Sequence, residues 1–333
     1  MKLKKLLVVL LSAVLLASLL AGCASTQTQA EDNTDTHAET AAGGETEQTA
    51  PDENYDTGDA SLDDPLNQDD IGENELLVVS FGTSYEETRK VTIDAIEADI
   101  AQAFPDHKIY RAWTSKMILA KLAKRDNLII PNVKEAMELM RKDGITDVIV
   151  QPTHVINGIE NDLMKEDALS YQEDFHTITF GTPLLTAEED NLAVIQSIVD
   201  EFSALPEDEV LVLMGHGTTH YSNAIYAALD YQFKDHGYKN FFLGTVEAYP
   251  SMESLLRMVK EYQPQKVVLA PFMIVAGDHA RNDMASDDPE SWRCQFEKAG
   301  FTVSSVLKGL GEYPGIRQLF IRHVKDAMAL QTI

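Results

Sequence analysis

The distribution of hydrophobic and polar residues divides the chain into three parts. An apolar run at positions 6–20 follows a cluster of lysines, and residues 24–74 then contain almost no large apolar side chains. From Leu76 onward, short apolar runs typical of buried strands alternate with longer stretches typical of helices. This alternation predicts βαβ units, and therefore an α/β fold whose parallel sheets are flanked by helices.

The predicted elements begin with a strand at 76–81. Ser84 and Glu87 have the spacing of a capping box, which predicts one helix from there towards Phe104. The other strands are predicted at 108–113, 147–152, 177–180, 209–214, 240–246, 266–271 and 301–306. Helices are predicted near 115–124, 131–142, 160–172, 187–204, 220–236, 251–262, 289–299 and 313–330.

The two halves of this region resemble each other. Residues 80–84 (SFGTS) align with 215–219 (GHGTT), and the segments that start at Val148 and Val267 each have a glycine six residues after a proline. A duplicated domain explains both matches, with pseudo-symmetric halves at 75–205 and 206–333 facing one another across a cleft. Ligands of open α/β sheets bind beyond the carboxyl ends of the strands, so we expect the functional residues there.

The first 23 residues have the features of a secretory leader, because basic residues precede a short apolar segment. The run ends in Ala21, Gly22 and Cys23, which resembles the lipobox of bacterial lipoproteins. That resemblance implies a lipoprotein signal peptide at 1–23, lipidation of Cys23, and a chain that is exported and anchored to the membrane on its periplasmic or extracellular face. The alternative is an ordinary signal peptide that contains a cysteine.

Charge is distributed unevenly along the chain. The 333 residues include 27 Lys and Arg and 54 Asp and Glu, and 16 of these acidic residues fall between Glu31 and Glu75. We therefore expect 24–74 to be a disordered acidic tether. The rest of the chain is also acidic and has no basic stripe, which argues against nucleic acid as a partner. If Cys23 carries lipid, Cys294 is the remaining cysteine and no disulfide is expected.

Three residues that can bind metal ions follow three successive predicted strands in the second half. They are His216, which lies between two glycines, Glu247 and His279. Neighbouring parallel strands end at the same edge of a sheet, so we expect the three side chains to meet. Two imidazoles and a carboxylate suit Co²⁺, Ni²⁺, Fe²⁺ or Zn²⁺. Taken singly, each has a plainer interpretation: a turn histidine, a carboxylate at a helix N-terminus, or a loop histidine.

Five segments resemble the anaerobic sirohydrochlorin cobaltochelatases of the CbiK type. They are 77–85 (LVVSFGTSY), 111–115 (RAWTS), 214–217 (MGHG), 246–250 (VEAYP) and 275–288 (VAGDHARNDMASDD). The resemblance covers essentially all of 75–333 and implies the class II chelatase fold, with insertion of Co²⁺ into sirohydrochlorin on the route to cobalamin and no organic cofactor. It also implies that His216, Glu247 and His279 bind the metal and catalyse its insertion. Fe²⁺ and Ni²⁺ remain alternatives to Co²⁺.

The tetrapyrrole substrate is rich in carboxylates, so an acidic protein must supply local cations or N–H donors. Ser84, Arg111 and Thr218 are candidates for substrate binding, the two hydroxyl residues through helix N-termini. Arg281 is a further cation near the predicted cleft, although an exposed surface charge is the plainer interpretation of either arginine. For His154, at a strand end in the first half, we favour a buried, hydrogen-bonded residue over a substrate contact.

The leader raises a second hypothesis about function, because typical members of the family lack one. An exported lipoprotein with the same three ligands could bind a metal or a tetrapyrrole such as haem and deliver it without turnover. The sequence does not identify a haem ligand. A homo-oligomer is also compatible with the sequence. Under either hypothesis about function, we expect the chain to contact the membrane only through its lipid anchor.

Overall fold

The structure is a computed structural model that describes residues 74–331. The first half consists of β1 (Asn74–Ser80), α1 (Glu86–Val91), α2 (Ile93–Ala103), β2 (Ile109–Trp113), α3 (Lys116–Asp126), α4 (Val133–Lys142), β3 (Asp147–Pro152), α5 (Ile159–Leu169), β4 (Thr177–Phe180) and α6 (Glu188–Glu201). The second consists of β5 (Glu209–Gly215), α7 (Ala224–Asp235), β6 (Phe241–Thr245), α8 (Met252–Tyr262), β7 (Lys266–Pro271), α9 (Trp292–Lys298), β8 (Thr302–Ser305) and α10 (Pro314–Gln331).

The strands form two parallel sheets with the same topology. The first has the order β2-β1-β3-β4 and the second has the order β6-β5-β7-β8. The inner strands β1, β3, β5 and β7 are largely apolar and buried because both faces of each sheet are covered by helices, as parallel sheets require. The prediction of two similar α/β halves with parallel sheets flanked by helices is therefore confirmed.

The two halves share a hydrophobic core. Leu76 of β1 and Leu211 of β5 belong to one apolar cluster, which extends through α2, α6, α7 and α10. The opposite faces of the sheets have separate cores, with Leu77 in one and Val212 in the other. The shared cluster holds the halves together, so the carboxyl ends of both sheets lie in one body.

The last helix crosses from the second half to the first. Although the predicted boundary assigns it to 206–333, α10 packs against α2, α6, β3 and β4. Arg317 of α10 pairs with Asp99 at 2.6 Å. Further along, the buried His323 places Nε2 2.8 Å from Asp190 Oδ1 and Nδ1 3.0 Å from the Thr182 carbonyl oxygen. These contacts tie the end of the described chain to the first sheet.

The capping box predicted at Ser84 and Glu87 is wrong. The N-cap of α1 is Tyr85, whose backbone N–H donates to Thr83 Oγ1 at 3.3 Å. The single helix predicted towards Phe104 is also divided, because the Thr92 hydroxyl donates to the Thr88 carbonyl and the chain leaves helical geometry there.

Other differences are smaller. A five-residue π-helical segment at Ala280–Met284 was not predicted, and the helix expected at 220 begins as a short 3₁₀ turn capped by His220. Strand β1 begins at Asn74, one residue inside the predicted tether. The signal peptide, Cys23 and the rest of the tether lie outside the described residues. Within residues 74–331, no helix has the length and apolar character that a membrane span needs.

Candidate metal centre

A tight turn after β5 presents His216 at the edge of the second sheet. Gly217 has φ +87°, and a Cβ there would lie 2.9 Å from the Ala248 backbone nitrogen, so only glycine fits. The first half repeats this turn at Gly82, with φ +104° and a Cβ position 2.5 Å from the Trp113 ring. The similarity between SFGTS and GHGTT therefore has a structural counterpart.

His216, Glu247 and His279 lie together at the ends of β5, β6 and β7. Each offers one ligand atom, and these atoms lie within 4.8 Å of one another. His216 Nδ1 is 3.8 Å from Glu247 Oε2, and the two imidazole rings are 4.7 Å apart at 82°. The side chains are 41%, 54% and 33% exposed, so the cluster is accessible from solvent. Residues 74–331 contain no other group of three His, Cys, Asp or Glu with this geometry.

Hydrogen bonds leave one nitrogen of each imidazole available. His216 Nδ1 lies 2.8 Å from the Gly217 carbonyl oxygen, and His279 Nδ1 lies 2.5 Å from Asp283 Oδ2. Both partners accept hydrogen bonds, so they favour the tautomer with the proton on Nδ1 and the lone pair on Nε2. Asp283 lies in the segment 275–288, and its spacing of four from His279 on a helical turn is the sequence signal for this contact.

Arg111 does not join the cluster. Its guanidinium faces α2, where Nε donates to Glu97 Oε2 at 2.8 Å and a terminal nitrogen donates to Asp94 Oδ1 at 2.7 Å. Burial raises the pKa of Glu97, and the adjacent Arg111 charge opposes that rise. The charge of Arg111 thus compensates a buried carboxylate of its own half, and its binding to a substrate carboxylate stays a prediction.

Thr218 and Ser84 also form hydrogen bonds within the protein. The Thr218 backbone N–H donates to Asn223 Oδ1 at 3.0 Å, and its hydroxyl accepts from the His220 N–H at 3.1 Å. Ser84 is buried, and its carbonyl oxygen accepts a 2.8 Å hydrogen bond from Arg125. Binding of a substrate carboxylate by either residue stays a prediction.

His154 lies at the end of β3 in the first half and is buried, with 8% of its surface exposed. Its Nε2 is 3.5 Å from Thr114 Oγ1. Burial lowers the pKa of the imidazole to about 4, because the charged form loses its hydration. The buried interpretation that the sequence favoured agrees with this environment.

The described region matches known proteins along nearly its whole length. The model of the cobalt chelatase (CbiK) family matches residues 74–329. A sirohydrochlorin cobaltochelatase of Salmonella typhimurium is 39% identical over 253 residues, which cover 76% of this chain and 96% of the relative. The sirohydrochlorin cobaltochelatase CbiKC of Nitratidesulfovibrio vulgaris is 29% identical over 264 residues, covering 76% and 90%.

A solved structure has the same fold. SirB from Bacillus subtilis with Fe³⁺ superposes with a TM-score of 0.56 at 14% identity, covering 78% of this chain and 98% of that chain. At that identity the likeness concerns the fold alone. It confirms the architecture that the sequence resemblance implied.

Proposed function

The chain belongs to the cobalt chelatase (CbiK) family, and on that premise we propose that it inserts Co²⁺ into sirohydrochlorin at His216, Glu247 and His279. The observation that carries the proposal is the approach of their ligand atoms to within 4.8 Å at an accessible sheet edge. Two imidazoles and one carboxylate can hold a divalent ion while leaving positions open for water or for an incoming ring nitrogen. The name of the 39% identical relative supports sirohydrochlorin as the tetrapyrrole.

During insertion His279 and Glu247 hold the ion, because the one available nitrogen of His216 must release it before that nitrogen can accept a proton. The Asp283 carboxylate fixes the orientation of the His279 ring through Nδ1 and leaves Nε2 for the ion, as carboxylate partners of metal-binding histidines do. Glu247 is the most exposed of the three side chains, so it can follow the ion as the ion moves. The pair thus delivers Co²⁺ to one face of the macrocycle.

His216 acts as the base that removes the first pyrrole proton. Insertion exchanges two pyrrole protons for one Co²⁺, and a neutral imidazole can take up the first proton at Nε2. The resulting cation keeps its Nδ1–H bond to the Gly217 carbonyl and lies 3.8 Å from the Glu247 carboxylate, which stabilises the new charge. The second proton goes to Glu247 once the ion has left it.

We further propose that the chain is exported and lipid-anchored through Cys23, and that Fe²⁺ and Ni²⁺ are alternative substrate metals. The support for export is the sequence pattern at 1–23. That pattern also favours a second candidate function, in which the chain carries a metal or a tetrapyrrole such as haem to a partner without turnover.

Turnover separates the two functions. The full-length chain is mixed anaerobically with a hundredfold excess of sirohydrochlorin and with Co²⁺, Fe²⁺ or Ni²⁺ in turn, and metallation is followed by the absorption spectrum. A chelatase metallates many equivalents faster than the protein-free reaction and ranks the three metals by rate. Conversion limited to one equivalent per chain would contradict the chelatase function and support the carrier.

A further inference from the structure

The segment that carries His279 contacts the first half of the protein through Tyr85. The Tyr85 hydroxyl donates to Asp278 Oδ1 at 3.3 Å, and Asp278 directly precedes His279. One residue earlier, a Cβ on Gly277 would lie 3.7 Å from Thr83 Oγ1, so this glycine lies against the Thr83 side chain. The residues before His279 are therefore held against the turn that follows β1.

Arg281 makes the second connection, two residues after His279. Its guanidinium carbon lies 4.5 Å above the centre of the Tyr85 ring, within the range of a cation–π interaction. A terminal nitrogen of the same group donates to Glu87 Oε1 at 2.9 Å. The guanidinium of Arg281, which the sequence suggested as a cation near the cleft, is thus paired with residues of the first half.

The contact joins a buried tyrosine of the first half to a short π-helical segment of the second. Tyr85 is buried, 3% exposed, and caps α1 through its own backbone. The segment Ala280–Met284 is π-helical and its N-cap residue, His279, makes no side-chain capping bond. Short π-helical turns are uncommon and occur often at functional sites. Besides its internal bonds from His279 to Asp283 and from Asn282 to Asp278, the segment is held by the contacts with Tyr85 and Glu87 of the first half.

We propose that Tyr85 is a positioning residue for His279. Together with Glu87, Asp278 and Arg281 it forms an inter-half clasp, which holds the imidazole at the separation from His216 that metal binding needs. This inference rests on the proposed function, since it assigns the clasp to the same metal site. It follows that the metal centre is complete only when the first half is docked on the second, although all three ligands belong to the second.

The test measures Co²⁺ binding to the full-length chain without tetrapyrrole, from the visible absorption of the bound ion. Tyr85→Leu removes the ring and the hydroxyl, and we expect it to weaken Co²⁺ binding about tenfold, the lower end for loss of a partner that orients a metal ligand. Tyr85→Phe keeps the ring under Arg281 and is expected to recover most of the affinity. If Tyr85→Leu fails to fold, Arg281→Gln replaces it, because that side chain is partly exposed. It should also weaken Co²⁺ binding.

Kinetics add a readout that general destabilisation does not move. The clasp variants should raise KM for Co²⁺ about tenfold while KM for sirohydrochlorin stays within about twofold of wild type. Asp99→Asn is the matched control, because it breaks the inter-half ion pair of Asp99 with Arg317 away from the cluster. It should lower the stability of the fold and leave Co²⁺ affinity unchanged.

Two results would overturn the inference. One is wild-type Co²⁺ affinity in folded Tyr85→Leu and Arg281→Gln chains, and the other is an equal loss of affinity in Asp99→Asn. A wild-type chain that binds Co²⁺ but never metallates sirohydrochlorin would refute the proposed function instead. The binding comparison would still decide whether Tyr85 positions His279.

Discussion

Lowering the pH from 7.5 to 5.5 is expected to destabilise the folded chain through His154. Burial depresses the pKa of this imidazole from 6.5 to about 4, so the unfolded chain takes up a proton in this interval and the folded chain does not. The stability contributed by neutral His154 is complete above the unfolded value and is lost as the pH falls towards about 4. Linkage gives a loss of about 1.4 kcal/mol at pH 5.5 relative to pH 7.5.

Denaturant unfolding at the two pH values measures this loss. The two tryptophans are suitable probes, because Trp113 is buried in the first half and Trp292 in the second. Between the two pH values, the free energy of unfolding of His154→Gln should fall by about 1.4 kcal/mol less than that of wild type. The control is His176→Gln, which removes an imidazole that is 80% exposed and leaves the buried one in place. If wild type and His154→Gln lose the same free energy, the reasoning is refuted.

Two further substitutions test individual contacts. Asp283→Asn should weaken Co²⁺ binding by about tenfold in a titration, because an amide holds the Nδ1–H of His279 less strongly than a carboxylate does; unchanged affinity would contradict that role. His323→Leu should lower the free energy of unfolding by about 2 to 4 kcal/mol in denaturant, because it removes two buried hydrogen bonds, to Thr182 and to Asp190, and a loss below about 0.5 kcal/mol would show that neither matters.

The strands and the metal cluster could be predicted because their signals are local. The middle residues of β3 and β7 are apolar, as VIV at 148–150 and VVLA at 267–270, and a parallel sheet buried on both faces demands that pattern. Once β5, β6 and β7 are placed side by side, the residues after them must meet, which brings His216, Glu247 and His279 together. The alignment of the two halves then indicated a cleft between similar units.

The remaining features depend on which elements pack together, and sequence spacing does not contain that information. Arg111 has the position of a cleft residue, but α2 packs on its face of the sheet and brings the buried Glu97 to it. Asp190 shows the same dependence. Burial alone would raise the pKa of its carboxyl, but its hydrogen bond with His323, together with a local one from the Ala187 N–H, holds that pKa below the ordinary value. The crossing of α10 to the first half brings His323 to this carboxylate.

The most direct test of the central claim is the rate of anaerobic Co²⁺ insertion into sirohydrochlorin by the full-length His216→Ala chain. His176→Ala is its matched control, since His176 is a solvent-exposed histidine bonded to Asp147, outside the metal cluster. We predict that His216→Ala lowers kcat by about a hundredfold or more, the usual contribution of a positioned base, and that His176→Ala retains the wild-type rate. Equal rates for wild type and His216→Ala would contradict the assignment of the metal centre.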